Sequence, residues 1–286
     1  MTNQLKTLSL FFFLLFSQNL QAAENNPKPY VVGELLGQSG NNFFQIAVTS
    51  ALAWDNGAEP FFPQLASLPT LYQHYFSRCK ILPPSSDIST EWIEPNFGYN
   101  PIPYEPRMKI SGYLQSWKYF SSYRDRLVAL FAPIPRDLKY IEKKYKQLLE
   151  KPDTVGIQIR YYFEDPYTFP QYGNDYLKKA MSHFPKSSTF VVSSNRIEFA
   201  KSEMPIEGFN VIFLENEPAY IDFHVLSLCK HNIITNSTFG WWSAYLNKNP
   251  DKIVVCPQTW SMPINDLCPD DWIQVEAERI APELIH

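Results

Sequence analysis

The stretch His231 to Pro257, HNIITNSTFGWWSAYLNKNPDKIVVCP, constrains the fold more than any other part of the chain. Ile233, Ile234 and Thr235 are β-formers and suit a short buried strand. Asn236, Ser237 and Thr238 follow with small polar side chains suited to capping a helix start. Phe239 to Asn247 reads as helix, Asn249-Pro250-Asp251 breaks it, and Lys252 to Cys256 returns as strand. Strand, cap, helix, strand is the βαβ unit of a parallel sheet. Its helix start carries free N–H groups and hydroxyls, which is where such a unit holds an anion such as phosphate.

The residues before it repeat the pattern. Thr154 to Arg160 alternates, with Val155, Ile157 and Ile159 on one side and Gly156, Gln158 and Arg160 on the other. Gln158 and Arg160 are therefore expected to point together from the strand's C-terminal end, the edge where open parallel sheets bind ligands. Helix Asp175 to His183, strand Phe190 to Ser194, a short helix from Ile197, strand Val211 to Leu214 and helix Tyr220 to Lys230 complete the series. The spacing predicts a doubly wound α/β sheet over residues 151–286.

Residues 24–150 open the same way. Tyr30 to Leu35 reads as strand, Gly37 to Asn41 as a glycine turn, Asn42 to Asp55 as helix and Ala58 to Phe62 as strand. Gly37 and Gly40 do not make a GxGxxG fingerprint, and a tight turn explains them equally well. Residues 81–108 are rich in Pro, Asn and Ser and read as a long loop. Lys109 to Tyr113 reads as strand, and Tyr123 to Phe131 and Arg136 to Glu150 as helices, with a boundary at Lys151-Pro152-Asp153. Residues 1–23 combine Lys6, the apolar run Leu8 to Phe16 and a Gln21-Ala22-Ala23 cleavage-like site. The run is shorter than the roughly 20 residues a bilayer span needs, so a secretory signal is the first reading and a membrane anchor the second.

With 286 residues, 45% of them apolar, the chain can bury a substantial core. A net charge of −4 argues against a nucleic-acid partner, so any anionic ligand must be held by a local cluster. No CxxC pair is present, so a metal site is not expected; a Cys256–Cys268 bridge is open if the compartment is oxidising.

Residues 227–257 closely resemble the last motif of the galactoside α-1,2-fucosyltransferases, glycosyltransferase family 11. VSSNRIEFAK (192–201), GYLQSWKYF (112–120) and GQSGNNFFQIA (37–47) are similar to further motifs of that family, in the same order. TVGIQIRYYFED (154–165) falls where the family carries a strand ending in HxRRxD. The resemblance implies two Rossmann-like domains of GT-B type, an acceptor-side domain at 24–150 and a nucleotide-sugar domain at 151–286. It implies transfer from GDP-fucose to the 2-hydroxyl of a terminal galactoside with inversion, and no obligatory metal or other cofactor. By position it assigns Arg160 to the donor's β-phosphate, Asp222 to the guanine, and Ser237 and Thr238 to phosphate and ribose. Phe239 stands beside them, Gln158 replaces the motif's His, and Asn41 is an orienting residue. Tyr161, Phe163, Asn195 and Arg196 also depart from the family pattern.

Breaking the bond to GDP leaves charge on the β-phosphate, which a fixed guanidinium stabilises. Arg160 otherwise reads as a solvated strand-end charge, Ser237 and Thr238 as plain caps, and Asp222 as a helix-dipole partner. Trp241, Trp242, His224 and His231 read as structural. The general base is open among Glu34, Asp55, Glu164 and Asp165. A non-catalytic nucleotide- or glycan-binding protein, or a transferase using another sugar nucleotide, is the alternative. The N-terminal segment implies a secretory or membrane-associated location.

Overall fold

The computed structural model describes residues 28–83, 85–165, 169, 171–260 and 266–280, so the targeting segment expected at 1–23 lies outside the described residues. Two parallel sheets form its frame. The first has the order β2-β1-β4-β3, with β1 Tyr30–Gly33, β2 Glu59–Phe61, β3 Thr90–Ile93 and β4 Met108–Ser111. The second has the order β10-β9-β8-β5-β6-β7, with β5 Thr154–Ile159, β6 Thr189–Ser194, β7 Asn210–Phe213, β8 His231–Ile234, β9 Val254–Pro257 and β10 Ile273–Val275. From β5 the chain winds outward to β7, then returns to the other side of β5 and winds outward to β10. The strand order therefore reverses between β5 and β8, and such a switch point opens a crevice at the C-terminal ends of the two strands.

The helices are α1 Ser39–Asp55, α2 Gln73–Phe76, α3 Arg124–Leu130, α4 Pro135–Lys144, α5 Lys146–Leu149, α6 Asn174–Met181, α7 Ile197–Glu203, α8 Ala219–Leu228 and α9 Thr238–Leu246. Among the described residues no helix is long and apolar enough to cross a membrane. The alternation expected along β5 holds as far as the strand pairs. Val155, Ile157 and Ile159 pack in one layer with Leu177 and Ala180 of α6. Gly156 faces the other layer, where an added Cβ would stand 3.1 Å from the Leu226 carbonyl of α8.

Three expectations change. The region 81–108 is not all loop: Thr90–Ile93 forms the edge strand β3, paired parallel to β4. Its alternate residues are only half-buried, so its apolar signal is faint between flanking Pro, Asn and Ser. Helix α1 starts at Ser39 rather than Asn42, which brings Gly40 and Asn41 into its first turn. The helix expected over 136–150 is two, α4 and α5, parted at Tyr145, whose hydroxyl donates to Glu217 at 2.8 Å.

The largest core belongs to both halves of the chain. Phe43 of α1 stacks on Phe223 of α8 at 4.8 Å, and Phe44 meets Trp241 of α9 at 4.6 Å. Trp241 and Trp242 are fully buried, as expected of core residues. Cys256 and Cys268 are free thiols that hydrogen-bond to each other, and that bond, with burial second, pushes Cys256 up.

Candidate functional site

The switch-point crevice encloses about 140 Å³ and is lined on one side by Arg160 and on the other by Thr235 and Asn236. A pocket for a whole small ligand usually measures several hundred Å³, so only part of a nucleotide sugar would be enclosed here. Arg160 follows the last paired residue of β5, and Thr235 and Asn236 follow β8, so the topology itself brings them together. The Arg160 guanidinium lies 5.3 Å from the Tyr162 ring, and its Nε is buried with no hydrogen-bond partner among the described residues. Tyr161, Phe163 and Phe199 form an aromatic wall, with ring centroids 4.9 to 5.6 Å apart.

Gln158 does not join Arg160 there. It is buried under α9, where an added Cβ on Gly240 would stand 3.1 Å from the Gln158 Cβ, and its Oε1 has no partner. The reason is that β5 ends at Ile159. Beyond that residue, strand alternation no longer fixes side-chain direction.

Ser237 serves its own helix, and Thr238 turns to the other half of the chain. Ser237 Oγ accepts from the Phe239 N–H at 3.3 Å and caps α9. Thr238 Oγ1 donates to Asn41 Oδ1 at 3.1 Å, and Gln115 Nε2 donates to the same oxygen at 3.0 Å. Gly40 is pressed against this helix start: an added Cβ would stand 2.4 Å from Thr238 Oγ1 and 2.7 Å from the Phe239 nitrogen. The N-termini of α1 and α9 thus abut, and the positive dipole ends of both helices meet in one place. Phe239 packs edge-on against Phe223 at 5.0 Å. Asn236 is buried, so its glycosylation-like sequon is closed to a glycan.

Asp222 sits on α8 and accepts from Ser193 Oγ at 2.6 Å; its other oxygen is buried without a partner. Ser193 is the register neighbour of Gln158, so Asp222 and Gln158 share the buried face beneath α8 and α9. Burial pushes the Asp222 carboxyl up to about 7, against the opposing Ser193 hydrogen bond. Burial pushes His224 down to about 4, and His231 accepts from the Ile253 N–H at 2.9 Å, so both histidines have structural surroundings.

The four carboxylates considered as bases are engaged or remote. Glu34 is held below the usual range by its hydrogen bond from Ser111, opposed by burial, with Lys109 adding to the lowering. Asp55 accepts from Tyr123 at 2.5 Å at the far end of α1. Glu164 pairs with Arg196 at 2.6 Å, and Asp165 is exposed. Sequence reasoning missed Glu94, which follows the faint strand β3. It accepts from the Tyr113 and Leu114 N–H groups at 2.7 and 3.0 Å, its Oε1 has no partner, and burial raises its pKa. Gln115, also missed, was visible in the motif GYLQSWKYF but nothing there gave its partner. Among the described residues no group of three or more His, Cys, Asp or Glu side chains is placed to hold a metal ion.

The model of "Glycosyl transferase family 11" matches residues 80–266. The chain belongs to glycosyltransferase family 11. Its relatives in the family include galactoside alpha-(1,2)-fucosyltransferase 2 of Oryctolagus cuniculus, 28% identical over 74% of this chain and 65% of that protein. The O-antigen biosynthesis glycosyltransferase WbnK of Escherichia coli is 31% identical over 57% of this chain and 59% of that protein. The chain therefore spans less than two thirds of the length of these relatives. Among solved structures, fucosyltransferase NodZ from Bradyrhizobium aligns with a TM-score of 0.50 at 11% identity, over 76% of this chain and 92% of that one. That likeness concerns the fold, two Rossmann-like domains of GT-B type. The family motifs quoted above thus sit at the switch-point crevice, at the α1–α9 junction and in the shared core.

Proposed function

We propose that this chain is an inverting fucosyltransferase that moves fucose from GDP-fucose to the 2-hydroxyl of a terminal galactoside on a glycan. One observation carries the reading: the strand-order reversal puts Arg160 and the residues leading into the N-terminus of α9 at a single crevice. Family membership and the names of the relatives support the donor and the acceptor class. In this reading residues 24–150 form the acceptor side and 151–286 the donor side. Arg160 and the first-turn N–H groups of α9 neutralise the charge that develops on the β-phosphate as the fucosyl bond breaks. Asp222 takes the guanine, Ser237, Thr238 and Phe239 border the phosphate and ribose, and Asn41 orients the reactants through Thr238. The acceptor hydroxyl attacks the opposite face of the sugar, which inverts the anomeric carbon. Burial raises both Asp222 and Glu94, the direction a base requires; with Asp222 given to the guanine, Glu94 is left for the base. The reaction needs no metal, and the N-terminal segment directs it to the secretory pathway or a membrane surface.

A second reading, a non-catalytic nucleotide- or glycan-binding protein, is favoured by Gln158. The residue at the motif's His position is buried under Gly240 instead of standing in the crevice. Thermal-shift titration with GDP, UDP and CMP, followed by release of GDP from GDP-fucose with and without a galactoside, separates the two. The transferase reading expects stabilisation by GDP alone and acceptor-dependent release, with Arg160→Ala slowing release by on the order of 10²- to 10³-fold. Stabilisation by GDP with no release for any galactoside leaves the binding-protein reading; stabilisation by UDP or CMP changes the donor.

A further inference from the structure

A second concavity lies at the opposite end of the first sheet. It is a groove of about 580 Å³ whose lining includes Lys28, Arg78, Lys80 and Arg126 against one carboxylate, Glu59. Trp54 at the end of α1 forms part of its wall. Trp54 is separated from Asn41 by about 20 Å along the helix, at roughly 1.5 Å per residue. The groove is therefore distinct from both the crevice and the α1–α9 junction.

Its charge is local and only partly answered. The chain as a whole carries −4, yet the groove's four cations face a single Glu59, which pairs with Lys80 at 2.6 Å and Lys28 at 3.5 Å. Among the described residues, Arg78 and Arg126 have no carboxylate within ion-pair distance. Arg78 donates to the Ala132 and Pro133 carbonyls, and Arg126 lies 3.8 Å over the Trp54 ring. Ser50, on the α1 face that lines the groove, is fully buried, and its hydroxyl has no partner. A guanidinium stacked on indole beside further cations offers planar charge-assisted donors next to an apolar ring. That combination suits a sugar bearing a carboxylate or sulfate: the anion meets the guanidinium, and the sugar ring lies beside the guanidinium–indole stack. A groove encloses a sugar chain on its sides, which a flat lipid surface does not require.

We infer that this groove is a binding site for an acidic oligosaccharide, separate from the donor crevice and independent of the proposed transfer reaction. The test is isothermal titration of the full chain with tetragalacturonate, with maltotetraose, inorganic phosphate and phosphatidylglycerol vesicles as the other probes. Tetragalacturonate is expected to bind with an affinity that falls as salt rises. Arg126→Gln is expected to weaken it by at least about tenfold, the loss of one charge-assisted contact. Glu59→Gln, which removes the only carboxylate among the described residues lining the groove, is expected to tighten it. Both side chains lie at the surface, and an unchanged thermal midpoint for each variant verifies folding. The inference is overturned if tetragalacturonate gives no binding, if Arg126→Gln binds it as tightly as the parent, or if maltotetraose binds equally well. Equal affinity for inorganic phosphate would mark a plain anion site, and binding confined to vesicles would mark a membrane-facing patch; either result also overturns it.

Discussion

Asp222 and His224 stand two residues apart on α8, and burial displaces both in the direction that keeps them neutral, Asp222 up to about 7 and His224 down to about 4. Their effects on stability oppose each other. Asp222 holds its proton in the folded chain after the unfolded chain has released it. Its contribution is therefore full below the ordinary aspartate range and is lost as pH rises toward about 7. His224 refuses a proton that the unfolded chain accepts, so its contribution is full above the ordinary histidine range and is lost as pH falls toward about 4. Asp222→Asn keeps an acceptor for Ser193 and removes one of the two slopes. The variant should gain stability relative to the parent as pH rises from 4 to 8, by on the order of a few kcal/mol at roughly 1.4 kcal/mol per pKa unit. Urea midpoints measured across that range check it; parallel curves for parent and variant would mean the carboxyl is ionised in the fold. The same neutral carboxyl bears on the guanine assignment, because a protonated Asp222 can accept guanine N–H groups at only one oxygen while its proton occupies the other.

The contact between the starts of α1 and α9 rests on one absent side chain. A Cβ on Gly40 would fall 2.4 Å from Thr238 Oγ1 and 2.7 Å from the backbone nitrogen of Phe239, and backbone cannot swing aside as a flexible side chain can. Gly40→Ala should therefore separate the two helix starts, break the Asn41–Thr238 hydrogen bond and cost about 1–3 kcal/mol. Chemical denaturation measures the loss, and thermal stabilisation by GDP should fall with it if the junction borders the donor. A variant as stable as the parent would show that the helices do not approach this closely. The helix α9 itself was readable from sequence, because a small polar cap preceded an apolar run and Asn-Pro-Asp closed it. So was the order of strands and helices from β5 to β9, since each of those strands carried a β-forming pattern; the three-residue edge strand β10 was not read. The α1–α9 contact was not readable, because a glycine records that space is needed but not what fills it. Edge strand β3 was hidden because it is half-exposed and short, and the parting of Gln158 from Arg160 because alternation stops where pairing stops. The roles of Asn195 and Arg196 were hidden for a similar reason. Asn195 clamps both the N–H and the carbonyl of Tyr161 at 2.9 Å, and Arg196 pairs with Glu164; both contacts span more than thirty residues.

At the scale of the molecule, the two sheets share their largest core, though each also has a smaller cluster of its own. Phe43 and Phe44 of α1 enter the same cluster as Phe120 and Phe131 from the first half and Phe223, Trp241 and Trp242 from the second. Phe43 alone touches Phe223 at 4.8 Å, Phe131 at 4.8 Å and Trp242 at 5.5 Å, so its ring fills a position neither half can close without the other. A GT-B fold has two Rossmann-like domains, and here the shared aromatic cluster fixes their register. The consequence is thermodynamic coupling: losing the first unit exposes the aromatic face of α9, which also covers β5 and β8 of the second. Unfolding should then be one transition, with amide protection in β1 and in β6 lost at the same denaturant concentration. Phe43→Ala should lower stability by about 3–5 kcal/mol and shift both strands' protection together. If the variant instead releases β1 while β6 keeps its protection, the cluster is a contact surface between independent domains, and the register of the two sheets must be set elsewhere.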